Sequence, residues 1–139
     1  MRTAIADTEL LVAFLYTRDE HHERAVEEMK QVAPPLLTCE SVLTEASYLV
    51  GEQGVPRGTV ARLVSRGVVR VAFEAQREIA RIEQLLDQYA DLPMDWADAC
   101  VVRMSELVPR ADVLTVDGEF RIYRRNRTDL IPARLPPNR

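Results

Sequence analysis

The sequence has little cysteine and no long hydrophobic run. Its two cysteines, Cys39 and Cys100, match neither a zinc-binding spacing nor a redox motif, and both stand in apolar surroundings. We therefore expect free, buried thiols in a reducing compartment. The longest apolar run, LLVAFLY, is far too short to cross a bilayer, and Asp7 and Glu9 interrupt the first segment before a signal-peptide core can form. Together these absences predict a soluble, cytoplasmic protein with no membrane partner.

A strong excess of one charge is also missing. The formal net charge is -4 at pH 7, so nothing in the overall charge marks a nucleic-acid binder. The length of 139 residues predicts one domain, 1–139, in which 132–139 form a loose C-terminal tail. Positive charge is concentrated in FRIYRRNR, whose arginines would contact phosphates or an acidic partner, or simply form a solvated surface. These arginines are Arg121, Arg124, Arg125 and Arg127.

Short apolar runs alternate with helical patterns along the chain. Strands are predicted at TAIAD, PLLTC, VVRVAF and ADVLTVD, with DLIP as a candidate final edge strand. Helices are predicted at ELLVAFLY (with Thr8 as N-cap), TRDEHHERAVEEMKQVA, ESVLTEASYLVGEQG, VPRGTVARLVSRG, EAQREIARIEQLLDQYA, MDWADACVVRMSEL and, briefly, GEFRIYRR. This alternation predicts an α/β fold with three α/β/α layers and a central, mostly parallel sheet.

Two helices carry apolar stripes that we expect to face the core. In EAQREIARIEQLLDQYA the stripe begins at Ile79 and runs through Ile82. In MDWADACVVRMSEL the stripe consists of Trp96, Cys100, Met104 and Leu107. We therefore predict that Trp96 is a core anchor, with a surface for stacking nucleic-acid bases as the alternative.

Acidic residues end two of the predicted strands. Asp7 follows the first strand and Asp117 the fourth, and either one alone is explained as a turn or N-cap residue. Together they would lie at the carboxyl edge of the sheet, where ligands of such sheets bind. Glu45 lies in the middle of a helix that is apolar nearly all round, with no lysine or arginine nearby. A buried carboxylate in that position needs a cation.

Two more acids open the helix in MDWADAC. Asp95 suits the N-cap and Asp98 the capping-box position, and for Asp95 this structural explanation is preferred. Asp98 stands where the helix enters the core, and two like charges three residues apart repel unless a cation separates them. Oxygen ligands without histidine or cysteine favour Mg²⁺ or Mn²⁺. Such a site suits the hydrolysis of phosphodiester bonds.

Four segments in this order, IADTELLVAFL, VLTEASYLV, LPMDWADACVV and LTVDGEFRIYR, resemble the motifs of PIN-domain ribonucleases. The likeness is greatest to the small VapC toxins of toxin–antitoxin pairs, and it spans Asp7 to about Tyr123. It implies a PIN-like fold, an RNA substrate, a cognate antitoxin and a homodimer. In such a protein the FRIYRRNR arginines are candidate RNA phosphate contacts, or surface charges that face the antitoxin. The catalytic, metal-binding acids that it implies are Asp7, Glu45, Asp98 and Asp117, with Asp95, Thr115 and Thr8 in secondary roles.

Three alternatives remain open from the sequence. The first is a PIN nuclease of RNA processing, or one acting on structured DNA, without a toxin role. The second is a catalytically silent PIN-like binding module, against which the presence of all four acids speaks. The third is a structural domain whose acids only cap helices, and Glu45 argues against it because a residue in mid-helix caps nothing.

Overall fold

The computed structural model describes residues 2–116 and 123–134. All four strands predicted from apolar runs are present, and no helix in these ranges is long and apolar enough to span a membrane. The elements are β1 (Ala4–Ala6), α1 (Thr8–Leu15), α2 (His22–Lys30), β2 (Leu36–Thr38), α3 (Glu40–Glu52), α4 (Gly58–Ser65), β3 (Val69–Val71), a 3₁₀ turn (Ala75–Glu78), α5 (Ile79–Gln88), α6 (Trp96–Leu107), β4 (Asp112–Leu114), β5 (Arg124–Arg125), β6 (Asp129–Leu130) and β7 (Ala133–Arg134).

The central sheet has five strands in the order β3-β2-β1-β4-β7, and every neighbouring pair is parallel. In the middle of the sheet, Ile5 is opposite Leu37 on one side and Val113 on the other. The chain moves outward from β1 through β2 to β3 and then returns to β4 on the other side of β1. The strand order therefore reverses between β1 and β4, and a ligand crevice is expected at the carboxyl ends of these two strands.

Helices cover the sheet, as the predicted α/β/α architecture requires. Helix α1 packs on α2 and α3, α3 packs on α4, and α6 packs on α5 and against β1 and β4. Because both faces are covered, the strands read as continuous apolar runs, and Ile5, Leu36 and Leu114 are fully or almost fully buried. The sequence-based prediction of the fold class is confirmed.

The predicted core stripes are wrong at their ends. Trp96 and Leu107 are 47% and 48% exposed, and Ile79 is 46% exposed. In α6 the middle of the helix is buried on almost every side, while its first and last residues project beyond the sheet. Helical periodicity gives the direction in which a side chain points, but it does not tell where along the helix the covering layer ends.

The C-terminal prediction also needs correction. Asp129–Leu130, from DLIP, pairs antiparallel with β5 in a small hairpin and does not join the main sheet. The edge strand is β7 instead, because Ala133 pairs with Val113. The loose tail predicted for 132–139 is therefore wrong at its start, and 135–139 lie outside the described residues. Most of the short helix predicted at GEFRIYRR lies outside them too, and Arg124–Arg125 forms a strand.

An ion-pair network joins α5, α6 and the hairpin. The Glu106 side chain is only 2% exposed and accepts hydrogen bonds from Arg81 Nε at 2.9 Å and Nη2 at 2.8 Å, and from Arg103 Nη1 at 3.2 Å. The backbone N–H of Asn126 donates to the same carboxylate. Burial alone would raise the pKa of Glu106, but the hydrogen bonds outweigh it and hold the pKa below its usual range.

The two cysteines are free and buried, as predicted, and they also lie side by side. Cys39 immediately precedes α3, and its thiol lies 3.3 Å from the Ser41 hydroxyl and next to the thiol of Cys100 in α6. The neighbouring Cys100 thiol lowers the pKa of Cys39 to about 7 against the opposite effect of burial, and the same interaction raises the pKa of Cys100. The thiols thus form one of the contacts between α3 and α6, which their sequence spacing does not indicate.

Candidate functional site

Asp7 links β1 to α1 and is held in place by two hydrogen bonds. It is the N-cap of α1, its Oδ1 accepts from the Leu10 N–H at 2.9 Å, and it is only 3% exposed. The predicted N-cap, Thr8, is instead the first residue of the helix. The Thr115 hydroxyl, just after β4, donates to Oδ2 of Asp7. The parallel pairing of β1 with β4 brings these two residues together across the strand reversal.

Asp95 and Asp98 form a reciprocal capping box at the start of α6. Asp95 Oδ1 accepts from the Asp98 N–H at 2.8 Å, and Asp98 Oδ2 accepts from the Asp95 N–H at 3.2 Å. The structural explanation of this pair is therefore confirmed. It does not compete with ligand binding, because a capping carboxylate keeps a second oxygen and further lone pairs.

Glu45 reaches the same place from α3. The helix is not apolar all round as predicted, since its fully buried residues are only Val42, Ala46 and Val50. Partial burial raises the pKa of Glu45, and the neighbouring Asp95 raises it further, while Thr8 opposes the shift. The buried Thr8 hydroxyl makes no hydrogen bond of ordinary length and angle within the described ranges, so its contact with Glu45 is a loose one.

These acids line one cleft of about 530 Å³. Its walls hold seven carboxylate side chains and no lysine or arginine among the residues described, so the lining is strongly negative. Three lining residues come from the loop between α1 and α2, and the sequence analysis did not identify them: Asp19, Glu20 and His21. His22 lies apart, with Nδ1 2.8 Å from the Ala13 carbonyl oxygen. The remaining lining residues are Asp7, Thr8, Glu9, Glu45, Pro93, Asp95, Asp98 and Val116.

The donor chemistry of the cleft fits a hard divalent cation, which takes oxygen ligands and carboxylates above all. Asp117 lies outside the described residues. Within 2–116 and 123–134, no three acidic, histidine or cysteine side chains are grouped closely enough to form a finished ligand set. The Asp7, Asp95 and Asp98 carboxylates instead accept hydrogen bonds from backbone N–H groups and, at Asp7, also from Thr115. A cation would have to draw together oxygens that already face the same cleft.

The structure does not bring the predicted RNA-binding arginines into this cleft. Arg121 lies outside the described residues. Arg125 donates from Nη1 to the carbonyl oxygens of Ser105 and Pro109 near the end of α6, at 2.9 and 3.3 Å, and Arg124 donates to Tyr123 O at 3.1 Å. Because α6 rises about 1.5 Å per residue, Ser105 is roughly 10 Å along the helix from Asp98.

The fourth of these arginines, Arg127, lines a separate surface cavity with Arg81. Phosphate binding by any of the four arginines stays a prediction, and for Arg125 and Arg127 it would concern a surface away from the acids.

The raised pKa of Glu45 predicts a pH-dependent stability. The folded protein binds the Glu45 proton more tightly than the unfolded chain does, so its stabilising effect is complete below the ordinary glutamate pKa. The effect is lost as pH rises through the raised pKa. In a chelator at pH 7, the free energy of unfolding of Glu45→Gln should therefore exceed that of wild type by about 1 kcal/mol or less, and the variant should unfold at a higher temperature.

Thermal unfolding between pH 4 and pH 8 measures this effect. Glu52→Gln, an exposed position at the end of the same helix, is the matched control. If wild type and Glu45→Gln have the same pH profile, Glu45 does not experience the negative cleft. If Glu45→Gln gains stability yet keeps the full response to Mg²⁺, Glu45 does not serve as a ligand.

Comparison with known proteins identifies the fold. No family model matches the chain, and no curated protein matches it. The crystal structure of Mycobacterium tuberculosis VapC20, a sarcin–ricin loop cleaving toxin, superposes with a TM-score of 0.75 at 20% sequence identity. The match covers 84% of this chain and 92% of that one. The architecture that the sequence motifs implied is therefore confirmed, and this chain has the fold of a VapC-type PIN domain.

Proposed function

We propose that the protein is a metal-dependent endoribonuclease and the toxin of a type II toxin–antitoxin pair. The observation that carries this proposal is the cleft at the strand reversal, where carboxylates from three helices converge and the described part of the chain contributes no lysine or arginine. The shared fold supports it, since VapC20 is an RNA-cleaving toxin. The proposal includes a cognate antitoxin and a homodimer, as the family resemblance implies.

The protein supplies the ligands and their orientation. Asp7, Glu45, Asp98 and Asp117 would hold Mg²⁺ or Mn²⁺, which when bound acts as a Lewis acid and lowers the pKa of a water. Thr115 fixes one oxygen of Asp7, and the capping box fixes one oxygen of Asp98. The Asp7 and Asp98 carboxylates therefore present their remaining lone pairs to the cleft in a set direction. This preorganisation spares the site the cost of ordering its ligands when the substrate arrives.

The negative charge of the cleft also makes substrate binding dependent on a cation. Seven carboxylates repel the phosphates of RNA, so binding without a cation should be weak. The test is cleavage of labelled total tRNA and single-stranded RNA by the purified protein with Mg²⁺, with Mn²⁺ and with chelator. Discrete products that require metal are expected. Equal products in chelator, or none under any condition, would contradict the proposal.

Metal binding can be measured without activity. A cation present at about a hundred times its Kd stabilises the fold by about 2.7 kcal/mol, which is roughly 9 °C in melting temperature for a chain of this length. Absence of any shift with either ion would remove the metal from the proposal. Arrest of growth on expression, relieved by the product of the neighbouring gene, separates a toxin from a processing nuclease.

A further inference from the structure

An aromatic groove adjoins the acidic cleft. It has a volume of about 720 Å³, and its aromatic lining comes from Tyr48 on α3, Phe73 after β3 and Trp96 at the start of α6. Tyr48 is 65% and Trp96 47% exposed, although large aromatic side chains usually bury most of their surface. Glu45 lines both the groove and the cleft, so the two share a wall.

Three kinds of chemistry follow one another along α3. Glu45, Tyr48 and Gly51 are spaced three residues apart, so each lies about 4.5 Å further along the axis and is turned by about 60° from the one before. Glu45 belongs to the cleft and Tyr48 to the groove. Beyond Tyr48, Arg57 approaches Gly51, and both line a neighbouring depression that shares Tyr48 with the groove. A carboxylate, an aromatic ring and a cation thus follow one another outward from the cleft.

This order matches the chemistry of a single nucleic-acid strand. Aromatic side chains stack on unpaired bases, and each stacked base contributes about 1–3 kcal/mol. Glu40 stands at the groove and repels phosphates, so a flat, uncharged base fits there better than the backbone does. Arg57 offers a charge partner for a phosphate further along the strand.

We infer that the groove between Tyr48 and Trp96 binds an unpaired base of the RNA substrate, next to the phosphate held in the acidic cleft. This inference rests on the proposed function and adds a specificity site to it. The substrate would be single-stranded or a loop at this position, because a base within a duplex cannot enter a groove between aromatic side chains. Trp96 and Tyr48 would position the strand and take no part in the chemistry.

Trp96 is the only tryptophan in the chain, so tryptophan fluorescence reports on the groove alone. The test titrates the protein with a short single-stranded RNA, and with the same RNA carrying abasic sites. Ca²⁺ is present to occupy the proposed metal sites in place of Mg²⁺ or Mn²⁺. We expect quenching by the intact RNA and little by the abasic one. Trp96→Ala and Trp96→Phe remove this fluorophore, so the affinities of the variants are compared with wild type by the anisotropy of a dye-labelled copy of the same RNA. Trp96→Ala and Tyr48→Ala should weaken binding roughly 5- to 100-fold. Trp96→Phe, which keeps a stacking ring, should restore most of the affinity.

Leu107→Ala, an exposed residue at the other end of α6, is the control and should bind as wild type. The cleavage assay separates this inference from the proposed function. If RNA is cleaved with metal but Trp96→Ala leaves kcat, KM and affinity unchanged, the groove inference is wrong and the nuclease stands. If Trp96→Ala changes only the sedimentation of the protein, or only its binding to another protein, the groove is a protein-binding face and the inference is again wrong. If no RNA is cleaved but intact RNA still quenches Trp96, the groove stands and the nuclease fails.

Discussion

Asp98→Asn is expected to reduce metal-dependent RNA cleavage by about a thousandfold or more. In the proposed function the loss of this carboxylate would remove a charged ligand, and the stabilisation that a metal gives a transition state amounts to several kcal/mol, at about 1.4 kcal/mol per tenfold in rate. Asparagine keeps the shape and an oxygen acceptor for the Asp95 N–H, so the capping box is retained and the helix should still form. The rate of cleavage of one labelled RNA at saturating Mg²⁺ measures the effect.

Asp91→Asn is the matched control. It makes the same chemical change in the loop before α6, at an exposed position that does not line the cleft. We expect its cleavage rate to equal that of wild type. Equal losses in both variants would mean that total charge matters and the cleft does not. An unchanged rate in Asp98→Asn would return Asp98 to capping alone.

Glu106→Gln should destabilise the fold by about 3 kcal/mol, which lowers the melting temperature by roughly 10 °C. The variant leaves the largely buried Arg81 charged with only a neutral acceptor in place of Glu106, while Arg103 keeps its ion pair with Glu78 at 2.7 Å. Because the pKa of Glu106 is held below its usual range, its stabilising effect is present above the ordinary glutamate pKa. The effect is lost as pH falls through the lowered pKa. Melting temperatures at pH 7 and at pH 3 to 4 should therefore differ less in the variant than in wild type.

Glu83→Gln on the exposed face of α5 is the control, and it should change stability by no more than about 0.5 kcal/mol. A Glu106→Gln protein as stable as wild type would show that the network gains no more from its charges than their burial costs. Cleavage by Glu106→Gln at 25 °C should be close to that of wild type, because the network lies near the opposite end of α6 from the acids.

The fold could be predicted from the sequence because its strands are short apolar runs that end in polar or turn residues. Asp7 was also predictable as a site residue, since strand ends of a parallel sheet share one edge. The N-cap was misplaced by one residue because Thr8 and Asp7 both suit that role, and only the backbone decides between them. The aromatic groove was missed because Trp96 continues an apolar stripe whose exposed end depends on where the sheet stops.

Loop residues and tertiary neighbours could not be predicted. Asp19, Glu20 and His21 line the cleft only because the loop between α1 and α2 folds toward it, and no local periodicity describes that path. The arginines after Asp117 are close to the acids in sequence, yet Arg125 lies near the other end of α6. Short sequence distance fails here because the chain leaves the site and forms the β5–β6 hairpin against α6.

The hydrogen bond between Thr115 and Asp7 has a consequence for the order of events during synthesis. It connects positions 108 residues apart, and β1 cannot pair with β4 until the chain has been made as far as β4. Closing so long a loop costs entropy before any contact repays it, and parallel pairing between distant strands is slow. A growing or truncated chain therefore carries Asp7, Glu45 and Asp98 without the cleft that brings them together. Whatever chemistry the cleft performs becomes available only once the chain has been made at least as far as Thr115.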